Sequence, residues 1–439
     1  MATVSVEPTL ELSGARYAIE DAPALRAFLE RQGTFGFPVL ETGLFPAASL
    51  SEGAQYTGYG NVWVRDNIHI AHAYLVHGRA DIAARAAEAL ARYFQRHRGR
   101  FLDIIRGEAD PADPMNRPHV RFDGANLREL PQKWSHAQND ALGYFVWLYC
   151  KLALAGAVPA PAWDLLDLFA LYFQAVRYWR DEDSGHWEEA RKIEASSIGA
   201  VVAGLEAMQA LMAASDLAAL PVPASEARAQ QVTRRFVEEL IARGRAALDE
   251  ILPRECIQPD PAKRRDCDAA LLFLIYPLQV ARPEQAERII GDVETHLKGE
   301  RGIRRYLGDS FWCADYKALQ APDQRTSDFS DDMSARDALL RPQQEAQWCI
   351  FDPLLSAIYA RRYLAQGDPD DFERQVHYAN RSLSQLTGAD GAFPAYRCPE
   401  LYYLEAGRYV PNDVTPLLWT QANLSLALDH LAAAARVGR

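Results

Sequence analysis

Apolar positions along this chain recur with a helical period over most of its length. Residues three and four apart share one face of a helix, so such recurrence predicts helices with a buried stripe. Glycine, proline and short polar runs interrupt the pattern at intervals and end the helices. The predicted helices lie at residues 20–33, 66–78, 80–97, 136–155, 162–180, 196–213, 225–252, 267–278, 283–297, 343–365, 370–387 and 415–435.

The segments between these helices alternate between short and long. Short links such as HGRAD and QGDPDD join helices within pairs. Long loops are usually functional when they occur in a compact domain. The long segments that separate the pairs are 98–135, 181–195, 253–266, 298–342 and 388–414.

The helices also alternate in polarity. The helix at 136–155 is apolar nearly all round, which indicates a buried element, whereas the helix at 80–97 has a polar face and is expected outside. Five inner–outer pairs follow from residue 66, and the N-terminal helix at 20–33 can supply a partner for the helix at 415–435. We therefore predict an all-α, single-domain (α/α)6 toroid, in which residues 1–33 form an N-terminal segment and ring-closing helix and residues 34–439 form the main domain.

The long loops all lead into inner helices, so we expect them to meet at one end of the ring. The rare residue types collect there, in five clusters that each have a Trp or Tyr beside a charged or amide group: WVRD (63–66), KWSHAQND (133–140), HWEE (186–189), EAQW (345–348) and CPELYY (398–403). Aromatic rings can stack on the apolar face of a sugar while polar groups bind its hydroxyls. The pattern therefore predicts a sugar-binding cleft. Short β segments are also expected within 37–46 and 303–309.

Composition narrows the function classes. The chain has 439 residues, a net charge of −12 and a pI near 5.4, which argues against a nucleic-acid surface. Its six cysteines lack the spacing of a zinc site, and no metal or cofactor is expected. The first residues do not resemble a secretion signal, and no uninterrupted apolar run reaches the length of a membrane span. We expect a cytoplasmic protein without a membrane partner.

Hydrolysis of a glycosidic bond commonly needs two carboxyl groups, one as proton donor and one as base or nucleophile. Glu188 and Glu189 follow Trp187, where partial burial and like charge would raise a donor pKa. Glu400 is the candidate second carboxyl, although it lies far along the chain from Glu188. A plainer interpretation of the WEE sequence is that its two acidic side chains precede a helix and interact favourably with the helix dipole. The residue pattern alone leaves both interpretations open.

Nine short segments, in order, resemble glycoside hydrolase family 15, the glucoamylases, together with the non-hydrolytic α and β subunits of phosphorylase kinase. The resemblance runs from about residue 34 to the C-terminus. The family fold is the same (α/α)6 ring. The segments are TGLFP, WVRDN, WSHAQND, HWEE with IEASSIG, DAALL, RRYLGD, EAQW, CPELYY and PLLWTQANL.

The resemblance implies roles for individual residues. Glu188 matches the family's proton donor and Glu400 its general base, so inversion is implied, with carboxyl groups about 6.5–9.5 Å apart. Glu189 matches an acid that helps bind sugar and shapes the environment of the donor. The other implied substrate-binding residues are Tyr59, Trp63, Arg65, Asp66, Trp134, Trp187, Arg305, Asp309 and Trp348.

The implied activity is release of β-glucose from the non-reducing ends of α-glucans or oligosaccharides. An alternative follows from three sequence segments, IEASSIGAVVAGLEAM, CPELYY and TGLFP. Their residues are closer to the phosphorylase kinase branch than to typical glucoamylases. That branch retains acidic residues at these positions without an established hydrolytic role. A non-catalytic carbohydrate-binding or regulatory toroid is therefore the second hypothesis. A related enzyme that acts on another disaccharide, or by phosphorolysis, is the third.

Overall fold

Six inner helices form a closed ring in the computed structural model, which describes residues 9–49, 52–215 and 232–437. Each inner helix packs against the next, and the last returns to the first. The inner helices are Val64–Val76, Asn139–Leu154, Ala195–Ala214, Leu272–Ile275, Phe351–Gln366 and Leu418–Val437.

An outer helix packs against each member of the ring. Ala22–Arg31 lies against Leu418–Val437, so the N-terminal helix completes the sixth pair. The predicted (α/α)6 toroid is confirmed, whereas the division of the chain at residue 34 stays a prediction. The other outer helices are Ala80–Arg96, Trp163–Val176, Arg234–Ile251, Pro283–Asp292 and Pro369–Ser384.

Two predicted helices start or end elsewhere because of local chemistry. The fourth inner helix covers only Leu272–Ile275, since Pro277 holds Tyr276 in an extended conformation. The helix predicted at 343–365 begins at Phe351, because Gln347 and Trp348 form a strand that pairs with Tyr402 and Leu401. The start predicted at residue 225 for the helix that is observed at Arg234–Ile251 lies outside the described residues.

Strands occupy little of the described chain. The β segment predicted within 37–46 is wrong, since these residues are irregular around a turn at 41–43, and at 303–309 only Ile303 makes isolated bridges. Short helices not predicted from the sequence lie at Gly99–Ile105, Tyr316–Leu319 and Ser334–Asp337. The strands are Thr9–Leu12, Ala15–Ala18, Val62–Trp63, Arg121–Asp123, Arg128–Glu129, Cys256–Ile257, Arg264–Arg265, Gln347–Trp348, Leu401–Glu405 and Arg408–Pro411.

The helix Ala195–Ala214 is long and apolar enough to cross a membrane by length and composition, although the sequence analysis found no such run. Most of its first sixteen residues are buried against its neighbours in the ring. A helix surrounded by other helices is apolar on all sides for that reason. The composition of this helix is therefore explained by its place in the core.

The helices Asn139–Leu154 and Ala195–Ala214 approach each other closely at a glycine. A Cβ placed on Gly143 would lie 2.5 Å from the backbone carbon of Ala200, and one placed on Gly204 would lie 2.7 Å from the carbonyl oxygen of Gly143. Backbone atoms cannot rotate away as a side chain can. Glycine at 143 is therefore required by the contact between two ring helices.

We expect Gly143→Ala to lower the free energy of unfolding by about 1–3 kcal/mol, because the added methyl group forces the two helices apart. Gly291→Ala is the matched control, since a Cβ at this helical position meets nothing within 4 Å. It should leave stability unchanged or raise it by up to about 1 kcal/mol. Chemical denaturation of both variants measures the difference, and equal stability of the two would contradict the close contact.

Candidate active site

A pocket of about 750 Å³, part of it open to solvent, lies at one end of the ring. Residues from the N-terminal ends of five inner helices, or from the loops just before them, form its wall. The expectation that the long loops converge is therefore confirmed for four of the five, while no residue of the 253–266 loop lines this pocket. The lining residues are Ala47, Tyr59, Trp63, Arg65, Asp66, Trp134, Ser135, His186, Trp187, Glu188, Arg305, Phe311, Thr326, Ser327, Asp328, Arg336, Trp348, Glu400, Leu417 and Trp419.

Ten of the twelve predicted site residues line this pocket, and two do not. Glu189 and Asp309 lie behind the wall, where each binds Arg305. Asp309 holds that guanidinium through two hydrogen bonds of 2.6 and 2.7 Å. In this structure both acids position an arginine that lines the pocket.

Two hydrogen-bond donors contact the same oxygen of the Glu188 carboxyl group. Its Oε1 accepts hydrogen bonds from Trp63 Nε1 at 2.9 Å and Gln138 Nε2 at 3.1 Å, and Arg65 Nη2 lies 3.5 Å away. Burial raises the pKa of Glu188, and the charge of Arg65 opposes this rise. Burial, one of the two causes that the sequence argument invoked, is the largest, and Glu189 is not among the main causes. The Oε2 atom remains available to carry a proton.

Glu400 is brought to the pocket by pairing of short strands. The Cys349 N–H donates to the Glu400 carbonyl oxygen at 2.9 Å, and the adjoining residues Trp348 and Leu401 face each other in the sheet. Its Oε1 accepts from Tyr59 Oη at 2.8 Å and its Oε2 from Asn412 Nδ2 at 2.5 Å. Burial raises the pKa of Glu400 to about 7, although both hydrogen bonds lower it.

Arg65 and Asp66 lie in the first turn of the helix Val64–Val76. Arg65 Nη1 donates to Asp140 Oδ2 at 2.6 Å, while its Nε makes no hydrogen bond within the described chain. Burial raises the pKa of Asp66 to about 7, and the Arg65 charge opposes this rise. The two residues therefore present a fixed cation beside a buried carboxyl group.

Glu189 is the centre of a buried ionic cluster. Its carboxylate contacts Arg336 Nη2 at 2.6 Å, Arg265 Nη2 at 3.1 Å and Arg305 Nη2 at 3.2 Å, and Tyr306 Oη donates to both oxygens at 2.7 Å. Burial alone would raise its pKa, but these arginines lower it far below its usual range. Glu189 is thus an ionised anchor, unlike Glu188 beside it.

Aromatic rings and buried donors make up the rest of the wall. The Arg305 guanidinium lies about 5 Å from the ring centroids of Trp187, Phe311 and Trp348. The indole N–H of Trp187 donates to Asp268, but those of Trp348 and Trp419 make no hydrogen bond to any described residue. Since buried polar groups usually have partners, these two N–H groups are suited to a polar ligand.

Several pocket residues escaped the sequence analysis. Arg336, Phe311 and Asp328 come from the 298–342 loop, which has no helical period to locate its side chains. Trp419 lies within PLLWTQANL, a segment that was used for the resemblance but not for the site. Arg121 stacks over Trp134 at 4.0 Å and pairs with Trp63 in a sheet, a contact that no local pattern reveals.

A second group of possible ligand atoms lies outside the pocket. Glu194, Glu255 and Cys256 bring one ligand atom each within 4.8 Å of one another, and all three residues are buried. Burial raises the pKa of both glutamates, and Glu255 also accepts hydrogen bonds from Ser196. Protons can therefore neutralise this group, and the expected absence of a metal stays a prediction.

Comparison with known proteins places this chain in a family. The family model for glycosyl hydrolases family 15 matches residues 35–360. A probable phosphorylase b kinase regulatory subunit alpha from Caenorhabditis elegans is 25% identical over 403 residues, which cover 83% of this chain and 30% of the worm protein. The uncharacterized lipoprotein YgeQ of Escherichia coli (strain K12) is 30% identical over 165 residues, 32% of this chain and 62% of that protein. The chain thus spans less than two thirds of each relative.

Solved structures share the ring. A glycosidase aligns with a TM-score of 0.63 and 19% identity over 94% of this chain and 96% of its own, and a variant of it in complex with glucose aligns with the same TM-score and 18% identity. A glucoamylase from Saccharomycopsis fibuligera aligns with a TM-score of 0.58 and 10% identity over 99% of this chain and 98% of its own. At these identities the likeness shows the fold.

We expect Glu189→Gln to lower the free energy of unfolding by about 3–5 kcal/mol, because three buried arginines would lose their shared carboxylate. Glu188→Gln is the control at the adjacent position, since an amide oxygen can still accept from Trp63 and Gln138. Glu188→Gln should lower the free energy of unfolding by less than about 1 kcal/mol. Denaturant titration of both variants makes the comparison, and equal losses would argue against Glu189 as the anchor.

Proposed function

The chain belongs to the glycosyl hydrolases of family 15, and from this premise we propose that it is an inverting, exo-acting α-glucoside hydrolase that releases β-glucose from non-reducing ends. The observation that carries the proposal is that Glu188 and Glu400, 212 residues apart in the sequence, line a single pocket (400 − 188 = 212). An inverting hydrolase needs such a pair, one carboxyl group to protonate the leaving oxygen and the other to activate water.

Glu188 is suited to the role of proton donor. Burial favours its neutral form, and donors already occupy Oε1, so the proton resides on Oε2. Loss of that proton to the leaving oxygen creates a carboxylate that Arg65, Trp63 and Gln138 already face. The surroundings therefore stabilise the form that the reaction produces.

Glu400 is suited to the role of base. Each of its oxygens accepts one hydrogen bond, which leaves a lone pair free to take a proton from water. A pKa near 7 makes it a stronger base than an ordinary carboxylate while it is still ionised at neutral pH and above. Tyr59 orients the carboxylate through its 2.8 Å hydrogen bond.

The remaining pocket residues are suited to hold glucose. Arg65 and Asp66 offer a donor and an acceptor side by side, and the free indole N–H groups of Trp348 and Trp419 can each donate to a hydroxyl. The rings of Trp63 and Trp134, 6.0 Å apart and nearly perpendicular, provide apolar surface for stacking. Arg305 reaches the pocket because Asp309 and Glu189 hold it from behind.

A second function is a carbohydrate-binding or regulatory toroid that does not hydrolyse its ligand. The relation to the worm phosphorylase b kinase subunit over 83% of this chain favours it. Such a protein needs the binding groups of the pocket, but it does not need the donor and the base to be in opposite protonation states. Turnover therefore distinguishes the two functions.

The first test is release of glucose from maltose and longer maltooligosaccharides, with the anomer followed by proton NMR. We expect β-glucose first, and a fall in kcat of about 10²- to 10⁴-fold for both Glu188→Gln and Glu400→Gln, as for loss of general acid or base catalysis. Initial α-glucose would contradict inversion. Saturable sugar binding without turnover by the unaltered protein would favour the binding toroid.

We expect the acid limb of the pH profile of kcat/KM to fall near pH 7, where Glu400 takes up a proton and ceases to act as a base. Tyr59→Phe should move this limb to higher pH, because burial raises the pKa of Glu400 and the lost hydrogen bond had lowered it. Tyr56→Phe is the control, since Tyr56 donates instead to Asp413. A limb that stays in place in Tyr59→Phe would contradict the assignment of the base.

A further inference from the structure

We propose that Asp328 selects the leaving group by accepting a hydrogen bond from one of its hydroxyls, so that the protein prefers glucosides of a sugar or polyol to glucosides of an aryl alcohol. The inference rests on the proposed hydrolase function and names the substrate class of the same site. Asp328 lies in the 298–342 loop, and Thr326 and Ser327 beside it also line the pocket.

The Asp328 side chain is only 6% exposed, and its two oxygens differ. The Oδ1 atom accepts a hydrogen bond from the Ser330 N–H at 2.9 Å. The Oδ2 atom is buried and accepts none from the part of the chain that the structure describes. Lys133 Nζ forms an ion pair with it at 3.8 Å, which is beyond hydrogen-bond distance, and donates its hydrogen bond to Asp331.

A buried carboxylate oxygen without a donor costs free energy, which a hydroxyl group of a ligand would offset. The turn at Ser330 uses Oδ1 alone, so Oδ2 does not hold this turn. Since Asp328 lines the pocket, the unused acceptor is available to the substrate rather than to the fold.

The neighbours of Asp328 place it on the donor side of the pocket. Arg121 lies over the ring of Trp63 at 4.9 Å, and the indole N–H of Trp63 donates to Glu188. Arg121 stacks over Trp134, and Lys133 is the residue before Trp134. The leaving group must lie beside the residue that protonates it, so Asp328 is positioned to meet the leaving group rather than the departing glucose.

The test is the ratio of kcat/KM for maltose to that for p-nitrophenyl α-glucoside, whose leaving group has no further hydroxyl. Asp328→Asn retains an oxygen for the Ser330 turn but replaces the free acceptor with an NH₂ group. We expect kcat/KM for maltose to fall about 10- to 100-fold, as for loss of a hydrogen bond to a charged group, with less than about threefold change for the aryl glucoside. Asp323→Ala, an exposed carboxylate of the same loop, is the control and should leave the ratio unchanged.

The outcomes distinguish a failure of the role proposed for Asp328 from a failure of the proposed hydrolase function. Equal falls for both substrates, or an unchanged ratio in Asp328→Asn, would overturn the role of Asp328 while leaving the hydrolase intact. Absence of turnover of any glucoside by the unaltered protein would overturn the proposed function, and the inference with it. Thermal unfolding of Asp328→Asn should match that of the unaltered protein, since the turn acceptor is kept.

Discussion

The ionic cluster around Glu189 is the interaction on which the pocket wall depends. One carboxylate binds Arg265 of the 253–266 loop and both Arg305 and Arg336 of the 298–342 loop. Buried ion pairs lose hydration, so they stabilise a structure only when each partner is satisfied. Here Tyr306 and Asp309 supply the remaining contacts. The loops thereby form one wall, and Arg305 faces the aromatic rings of the pocket.

Two adjacent glutamates consequently have opposite electrostatic surroundings. Glu188 meets one guanidinium at 3.5 Å and two neutral donors, and burial raises its pKa. Glu189 meets three guanidinium groups, which lower its pKa. The backbone at Glu188 is left-handed, with φ of 59°, a conformation that costs about 1–3 kcal/mol for a residue with a side chain. Such strain is often found at functional sites, where the surrounding structure enforces it.

Unused hydrogen-bonding capacity is a further property of the pocket. Arg65 Nε, the indole N–H groups of Trp348 and Trp419, and Asp328 Oδ2 are buried without a hydrogen-bond partner among the described residues. A fold selected for stability alone would pair or replace such groups. Under the proposed function, hydroxyl groups of the sugar would supply the missing partners. A solved glycosidase has the same ring, and the sequence of this chain is similar to that of a kinase regulatory subunit. The function must therefore be argued from the residues of the pocket rather than from the fold.

The sequence alone determined the ring and most of its site. Helical periodicity, alternating connector length and alternating polarity are local properties, and they predicted six helix pairs, including the return of the N-terminal helix to the last one. The aromatic and charged clusters before the inner helices predicted a cleft, and the family resemblance then named ten residues that line the pocket. Only the tertiary structure decided that Glu189 and Asp309 lie behind the wall and that Asp328 and Arg336 line the pocket, while Arg121 stacks on two of its rings. These properties depend on contacts between residues far apart in the chain and on exclusion of water, which no local pattern records.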